Sequence, residues 1–227
     1  MSSEATVSTR LRVLGLGAIL ALSALSAACE QRPSSGGTAA SPPSASAAAP
    51  LSASGAMAAK TPSTEALARA EAAAKKLGGA LRTRLADAMN QGGPANAARV
   101  CAEEAKGMTA NVQKETGVSV GRASLRLRNA ESAPPAWVGA WLTAQGERKA
   151  EGVTGMSAVV DTPTGKMARV IKPIAVEAAC LSCHGDPASI AGEVRGLLKE
   201  KYPSDHATGY AIGDLRGALW AEAPVGG

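Results

Sequence analysis

The composition of the chain changes near residue 63, and this change limits where a packed core can form. Residues 30–62 are dominated by Ala, Ser, Pro and Gly, with very few large apolar side chains. Such a segment cannot bury enough apolar surface to offset the entropy lost on folding. We therefore predict a disordered linker over residues 29–63 and a folded region over residues 64–227. Because the chain has no Phe, the core of that region must be built mainly from Ala, Val, Leu, Ile and Met.

The N-terminus has the features of an export signal. Arg10 and Arg12 accompany an apolar run that ends in small residues directly before Cys29. A basic start, an apolar middle and a small-residue end are typical of a signal peptide, here residues 1–28, and the run is short for a membrane span. The sequence LSAAC resembles a bacterial lipobox, which predicts lipidation of Cys29; ordinary signal cleavage is the alternative. We expect a periplasmic location or the outer face of a bacterial membrane, as a lipoprotein.

Apolar periodicity predicts helices at the start of the folded region. Thr61 and Pro62 suit an N-cap and a first helical position. Apolar residues then recur every three or four positions until the sequence QGGP at 91–94, which should break the helix. A second helical stripe places Cys101 on a buried face, together with Ala98, Ala105, Met108 and Val112.

The rest of the folded region mixes strands with helices. A strand with a bulge near Gly121 is predicted over 118–129, and a hairpin by Ser157–Asp161 and 166–176. Helices should begin after Pro134-Pro135 and at Pro187, and a last strand should cover 214–223. The fold class is therefore α+β, with a small antiparallel sheet and an N-terminal helical segment.

The sequence CLSCHG at 180–185 carries the clearest chemistry. A C-x-x-C-H match is not expected by chance in a chain with four Cys and two His, and it is the attachment motif of c-type haem. The spacing lets the thiols of Cys180 and Cys183 each add across one haem vinyl group, which forms two thioethers. His184 then lies under the iron. We predict one covalently attached haem c, whose flat ring could also fill core volume that aromatic residues usually fill.

Three other interpretations of the motif are weaker. A disulfide between Cys180 and Cys183 would close a small strained loop and leave His184 without a role. A thioredoxin-like dithiol needs a parallel-sheet context that the pattern does not suggest. A zinc site needs four ligands, and adjacent Cys and His residues rarely both bind one ion.

The second axial ligand is open on chemical grounds. His206 is the other histidine of the chain, but it lies among polar, turn-forming residues. Cys101 is the cysteine that remains after Cys29 and the motif are assigned, although a buried free Cys is usually a small apolar residue. Met108 and Met156 are further candidates. Chemistry alone favours Cys101 and His206 about equally.

Four stretches resemble a family of exported bacterial haem c domains that is known as a domain of unknown function and also as a sensor histidine kinase input module. They are ARVCAEEA (98–105), VGRASLRLRN (120–129), VIKPIAVEAACLSCHG (170–185) and YPSDHATGYAIGDLRGAL (202–219). The resemblance implies a PAS-like fold in which His184 and Cys101 are the two axial ligands. We further expect Arg122, Arg128 or Arg216 near the haem propionates, because guanidinium suits carboxylates.

These features predict a redox or small-ligand sensor. A thiolate ligand favours ferric iron, which suits switching better than electron transfer at high potential. The alternative is a membrane-tethered periplasmic electron-transfer cytochrome c. We expect no enzyme activity, since no base-and-substrate constellation is evident, and no nucleic-acid binding, since the net charge of +5 comes without a dense basic run. The expected partners are the membrane, through lipidated Cys29, and a separate redox or signalling protein.

Overall fold

The computed structural model describes residues 61–226, so the predicted signal peptide, Cys29 and nearly all of the linker lie outside the described residues. The helices are α1 (Pro62–Glu103), α2 (Ala105–Thr116), α3 (Ala136–Gln145), α4 (Leu181–His184) and α5 (Gly192–Lys201). The strands are β1 (Ser119–Ala123), β2 (Met156–Thr162), β3 (Gly165–Ala175) and β4 (Leu215–Pro224). They form one antiparallel sheet in the order β1-β4-β3-β2. No helix among the described residues is long and apolar enough to cross a membrane.

Helix α1 begins and bends where the sequence predicts. The Thr61 hydroxyl accepts a hydrogen bond from the Thr64 amide at 3.3 Å, with a proline in the first turn. At the bend, Gly93 adopts a left-handed φ of 66°, which glycine tolerates without strain. The Asn96 side chain donates to the carbonyl of Ala88 at 3.0 Å across the bend. The part of α1 that carries Cys101 therefore runs in a new direction from the first part.

Helices pack on both faces of the sheet. The first part of α1 buries one face, where Ala74 and Leu77 meet Val120, Val170 and Ala221. Helix α3 covers the opposite face in a cluster that the partly buried tryptophans complete: Ala123, Val138, Leu142, Ile171 and Ala218, with Trp137, Trp141 and Trp220. A third cluster joins the end of α1 to α5, through Ala98, Ile190, Val194 and Leu198. The core is aliphatic and Ala-rich, as the composition predicts.

The structure confirms the α+β class. A helical segment precedes one antiparallel sheet, as expected for a PAS-like fold. The predicted hairpin is also confirmed, since β2 and β3 pair from Met156↔Ile171 to Thr162↔Gly165. The second helical stripe is interrupted, because α1 ends at Glu103 and α2 begins at Ala105.

Three details of the prediction are wrong. β1 ends at Ala123, and its pairing with β4 is regular at Gly121; the sheet irregularity lies between Ile174 and Ala175. Helix α5 begins at Gly192 rather than at Pro187, because Ala191 is extended with a ψ of 142°.

Candidate functional site

The motif segment leaves the sheet at the end of β3. The Gly213 amide donates to the Val176 carbonyl at 2.8 Å, and the Val176 amide donates to the Asp214 carbonyl at 2.9 Å. A 3-10 turn, Ala178–Cys180, then leads directly into α4. These two bonds fix the point from which the three chemically important side chains of the motif project.

Gly185 ends α4 by a close approach that requires glycine. Its amide donates to the Leu181 carbonyl at 2.9 Å, and a Cβ at this position would lie 2.7 Å from the same oxygen. Real Cβ atoms essentially never come that close to an oxygen. Local backbone packing at the end of α4 therefore requires glycine at position 185.

The imidazole of His184 is held in one orientation. Its Nδ1 lies 2.6 Å from the carbonyl oxygen of Ala207, and because a carbonyl only accepts, Nδ1 carries the proton and Nε2 keeps its lone pair. Burial lowers the pKa of His184 to about 3, with help from the charges of Arg216 and Arg128, while the hydrogen bond to Ala207 acts in the opposite direction. The ring is therefore neutral at physiological pH, which is the form that binds a metal.

The loop at 205–210 surrounds this histidine. The Gly209 amide donates to the Gly185 carbonyl at 2.7 Å, and the Tyr210 amide donates to the His184 carbonyl at 2.9 Å. The buried Tyr210 ring also meets the imidazole edge to face, with 6.3 Å between the ring centroids. Backbone and ring contacts together fix the loop against the motif.

Arg128 joins the loop to the motif. One terminal nitrogen, Nη2, donates to the carbonyl of Cys183 and, at 3.3 Å, to the carbonyl of Ala207. The Nε atom lies 3.0 Å from Asp205 Oδ2, and each of these two side chains is only 12 % exposed. Nε is within ion-pair distance but off the hydrogen-bond angle, so its N–H is buried without an acceptor among the described residues. The two carbonyl bonds of Nη2 and the nearby carboxylate of Asp205 offset part of the cost of burying this charge.

The three described cysteines, Cys101, Cys180 and Cys183, are free thiols. Cys183 packs against the cluster that joins Ala98 of α1 to α5. Burial raises the pKa of the Cys183 thiol; the Arg128 charge opposes this effect, and ionisation of Cys101 would add to it. Burial likewise raises the pKa of Cys101, and the charges of Arg122 and Arg128 lower it. The structure thus brings the Cys101 helix to the motif, within reach of the same arginines.

The three arginines predicted for propionates differ in their contacts. Arg128 contacts Asp205 and the carbonyls of Cys183 and Ala207. Arg216 Nη1 donates to the Ser124 hydroxyl at 2.6 Å, and its guanidinium lies 5.2 Å from the centroid of the Tyr210 ring. Arg122 is exposed and makes no hydrogen bond or ion pair to the described residues, although its charge acts on Cys101. The structure does not test the propionate role.

The structure also places the other ligand candidates. His206 has an exposed side chain; its amide donates to the Leu127 carbonyl at 2.8 Å, and its carbonyl accepts from Arg126 at 3.2 Å. Met108 is half-buried on α2, and Met156 packs against the α3 cluster.

The sequence reasoning missed the supporting residues Asp205, Ala207 and Tyr210. They lie in the stretch 202–219, for which the sequence predicted only His206 as a possible ligand and Arg216 as a possible propionate partner. Ala207 acts through its backbone alone and Tyr210 through both its amide and its ring, and backbone contacts leave no residue-type signal.

Comparison with known proteins gives one family and one solved structure. The family model described as Tll0287-like matches residues 58–224. The crystal structure of the cyanobacterial haem protein Tll0287 aligns with a TM-score of 0.44 and 26 % identity, covering 56 % of this chain and 72 % of that chain. Among curated proteins no match is found.

Proposed function

Because this chain belongs to the Tll0287-like family, we propose that its folded region binds one haem c. Cys180 and Cys183 form the two thioethers, each by adding its S–H across a vinyl double bond, so that no electrons are gained or lost. His184 is one axial ligand through Nε2. Cys101 is the other, as a thiolate.

The observation that carries this proposal is the geometry of His184. Its Nδ1–H is engaged by the Ala207 carbonyl at 2.6 Å, which fixes the tautomer and leaves Nε2 available, the arrangement typical of a metal-bound histidine. The donor set also fits, because one free thiol directly precedes α4, a second lies within α4, and a third lies on α1, which packs against this segment. Burial raises the pKa of the Cys101 thiol, and the charges of Arg122 and Arg128 oppose that rise.

A haem held by these residues would supply a redox-active iron that can bind a small gas at an axial position. The two proposed axial ligands differ in how firmly the chain holds them. His184 is held by the surrounding loop, whereas no described residue makes a hydrogen bond to the Cys101 thiol. Cys101 also lies beyond the glycine bend of α1. We therefore propose redox or small-ligand sensing, in which loss of Cys101 ligation moves the end of α1.

We propose that the protein acts outside the cytoplasm, at the outer face of a bacterial membrane or in the periplasm. Lipidation of Cys29 and the linker at 29–63 would tether the domain to the membrane. The role is binding and signalling rather than catalysis, and the signal passes to a separate redox or signalling protein. The same tether would suit an electron-transfer cytochrome, which is the alternative function.

Spectra of the full chain, expressed with a haem c maturation system, test the ligand assignment. Cys101→Ala should change the low-spin ferric spectrum, and His206→Ala should leave it unchanged. The His206 variant is the matched control, because its exposed ring makes no contact that holds the motif. A spectrum that changes in His206→Ala but not in Cys101→Ala would show that the ligand assignment is wrong.

The reduction potential and carbon monoxide binding separate the two functions. A sensor of this kind should have a low potential, since thiolate ligation favours ferric iron, and its reduced form should bind carbon monoxide. A high potential without carbon monoxide binding would support electron transfer instead.

A further inference from the structure

The carbonyl of Ala207 accepts hydrogen bonds from two side chains. His184 Nδ1 lies 2.6 Å from this oxygen, and Arg128 Nη2 lies 3.3 Å from it. A carbonyl oxygen has two lone pairs and can serve both donors. The second donor is cationic, so it draws electron density toward itself and makes the oxygen a weaker acceptor for the histidine.

We propose that Arg128 is a positioning residue for His184, which acts through the Ala207 carbonyl and limits the strength of the Nδ1–H···O bond. A hydrogen bond at the outer nitrogen of a metal-bound histidine raises the basicity of the ligand. A weaker bond makes the imidazole a poorer donor and favours ferrous iron. This inference rests on the proposed function, because the effect on the iron requires haem bound by His184.

The carbonyl should stay in place when Arg128 is removed. The Ala207 amide donates to Asp205 Oδ1 at 2.7 Å. The Gly209 amide holds the same loop to Gly185 at 2.7 Å. Because the Ala207 carbonyl stays aligned, loss of Arg128 should strengthen the hydrogen bond from His184 Nδ1–H to that carbonyl and should not break it.

Arg126 offers a matched control from the same loop. It donates to the carbonyl of His206 at 3.2 Å and to the carbonyl of Thr208. These carbonyls flank Ala207, but no hydrogen bond joins Arg126 to Ala207. Removing Arg126 therefore takes away an arginine charge, two hydrogen bonds to the loop and a cation–π contact with the Tyr210 ring at 4.2 Å, without freeing the acceptor of His184.

The first test is the reduction potential of the haem-loaded full chain with the double substitution Arg128→Gln and Asp205→Asn. The pair leaves the net charge unchanged, and the asparagine side chain that replaces Asp205 would keep an oxygen for the Ala207 amide. We expect a lower potential, with the ferric-to-ferrous ratio at a fixed applied potential raised by about tenfold. Tenfold is the lower end of the effect on metal affinity that loss of a hydrogen-bonding partner of a metal ligand has. A potential equal to that of the wild type, or a higher one, would overturn the inference.

The second test needs no haem. The chain has two histidines, so a His206→Ala background leaves His184 as the single imidazole for proton NMR of the haem-free full chain. Arg128→Gln should move the Nδ1–H resonance downfield, as a stronger hydrogen bond requires, and Arg126→Gln should not. Equal shifts in both variants, or none in Arg128→Gln, would refute the positioning role.

The two tests separate the inference from the proposed function. A wild-type chain that takes up no covalent haem contradicts the proposed function, and the NMR result then decides the inference. Should the haem-free chain not fold, the potential of the double variant decides it.

Discussion

Gly217 is the position where one added methyl group should cost the most. It lies in β4 with a φ of 156°, a conformation that residues with a Cβ rarely adopt. A Cβ here would overlap the carbonyl oxygen of Ala123 and lie 3.2 Å from the Cβ of Ser124. The neighbour is backbone and cannot rotate away, so β1 and β4 would have to separate locally.

For Gly217→Ala we expect a loss of about 2–4 kcal/mol in the free energy of unfolding. The strained φ accounts for about 1–3 kcal/mol, and the loss of one neighbouring backbone hydrogen bond adds about 1 kcal/mol. Urea denaturation of the full chain, followed by circular dichroism, measures the difference.

Gly79→Ala is the matched control. Gly79 is exposed on α1, and no atom lies within 4 Å of its added Cβ. This variant should gain about 0.5–1 kcal/mol, since alanine is the better helix former. Stability of Gly217→Ala within about 0.5 kcal/mol of the wild type would refute the steric reasoning.

Two further predictions use the same denaturation assay. Leu77→Ala should lower the free energy of unfolding by about 2–5 kcal/mol, because Leu77 is fully buried under the sheet. Leu85→Ala should lower it by under about 1 kcal/mol, because that side chain is 36 % exposed. Equal losses would contradict the packing described for α1. Glu222→Gln should cost about 1 kcal/mol, since Glu222 faces Arg169 across β3 and β4 at 2.6 Å with both side chains about one-fifth exposed. That loss should shrink in 1 M NaCl, and a loss that does not change with salt would mean that the charge of Glu222 is not its cause.

Sequence pattern predicted the elements that depend on local rules. The β2–β3 hairpin, the glycine bend of α1 and the N-cap at Thr61 follow from turn, breaker and capping chemistry, which residue type controls directly. The pattern was misleading where tertiary contacts decide. The alternating residues after Ala123 looked like a strand, yet Leu125 is 52 % exposed. There the arginines, not the leucines, make the specific contacts, and they reach carbonyl groups of the 205–210 loop.

Gly121 shows a second limit of the sequence. The alternation of residues slips in phase near Gly121, which suggested a bulge, but the strand is regular there. A Cβ at this position would lie 2.8 Å from the indole of Trp220. Glycine is needed for the close approach of a cross-strand neighbour, which no local pattern can show.

The candidate site also has a part that the sequence predicted and a part that it did not. The motif itself was evident because haem attachment requires fixed residue types at fixed spacing. The support of His184 was not, because its acceptor is the carbonyl of Ala207 and any residue type can provide one. His206 looked important as a ring, whereas its backbone is what contacts Arg126 and Leu127.

The contrast between the two sides of the site leads to a prediction about motion. On one side, the His184 ring donates to the Ala207 carbonyl, and amides of the 205–210 loop donate to the carbonyls of His184 and Gly185. These bonds fix the ring and the loop. On the other side, Cys101 lies beyond the bend at Gly93. If sensing works through loss of one axial ligand, Cys101 is the ligand that can leave, because less structure has to break.

Hydrogen exchange of the haem-loaded chain in its ferric and ferrous forms tests this reasoning. Backbone amides of residues 94–103 should exchange faster in the ferrous form, because reduction weakens thiolate ligation and releases this part of α1. Amides of residues 205–210 should be unchanged. Cys101→Ala supplies the control, since without the thiolate the two redox states should exchange alike in both segments. Faster exchange in the 205–210 loop alone would place the movable ligand on the His184 side, and the sensing model would have to be reversed.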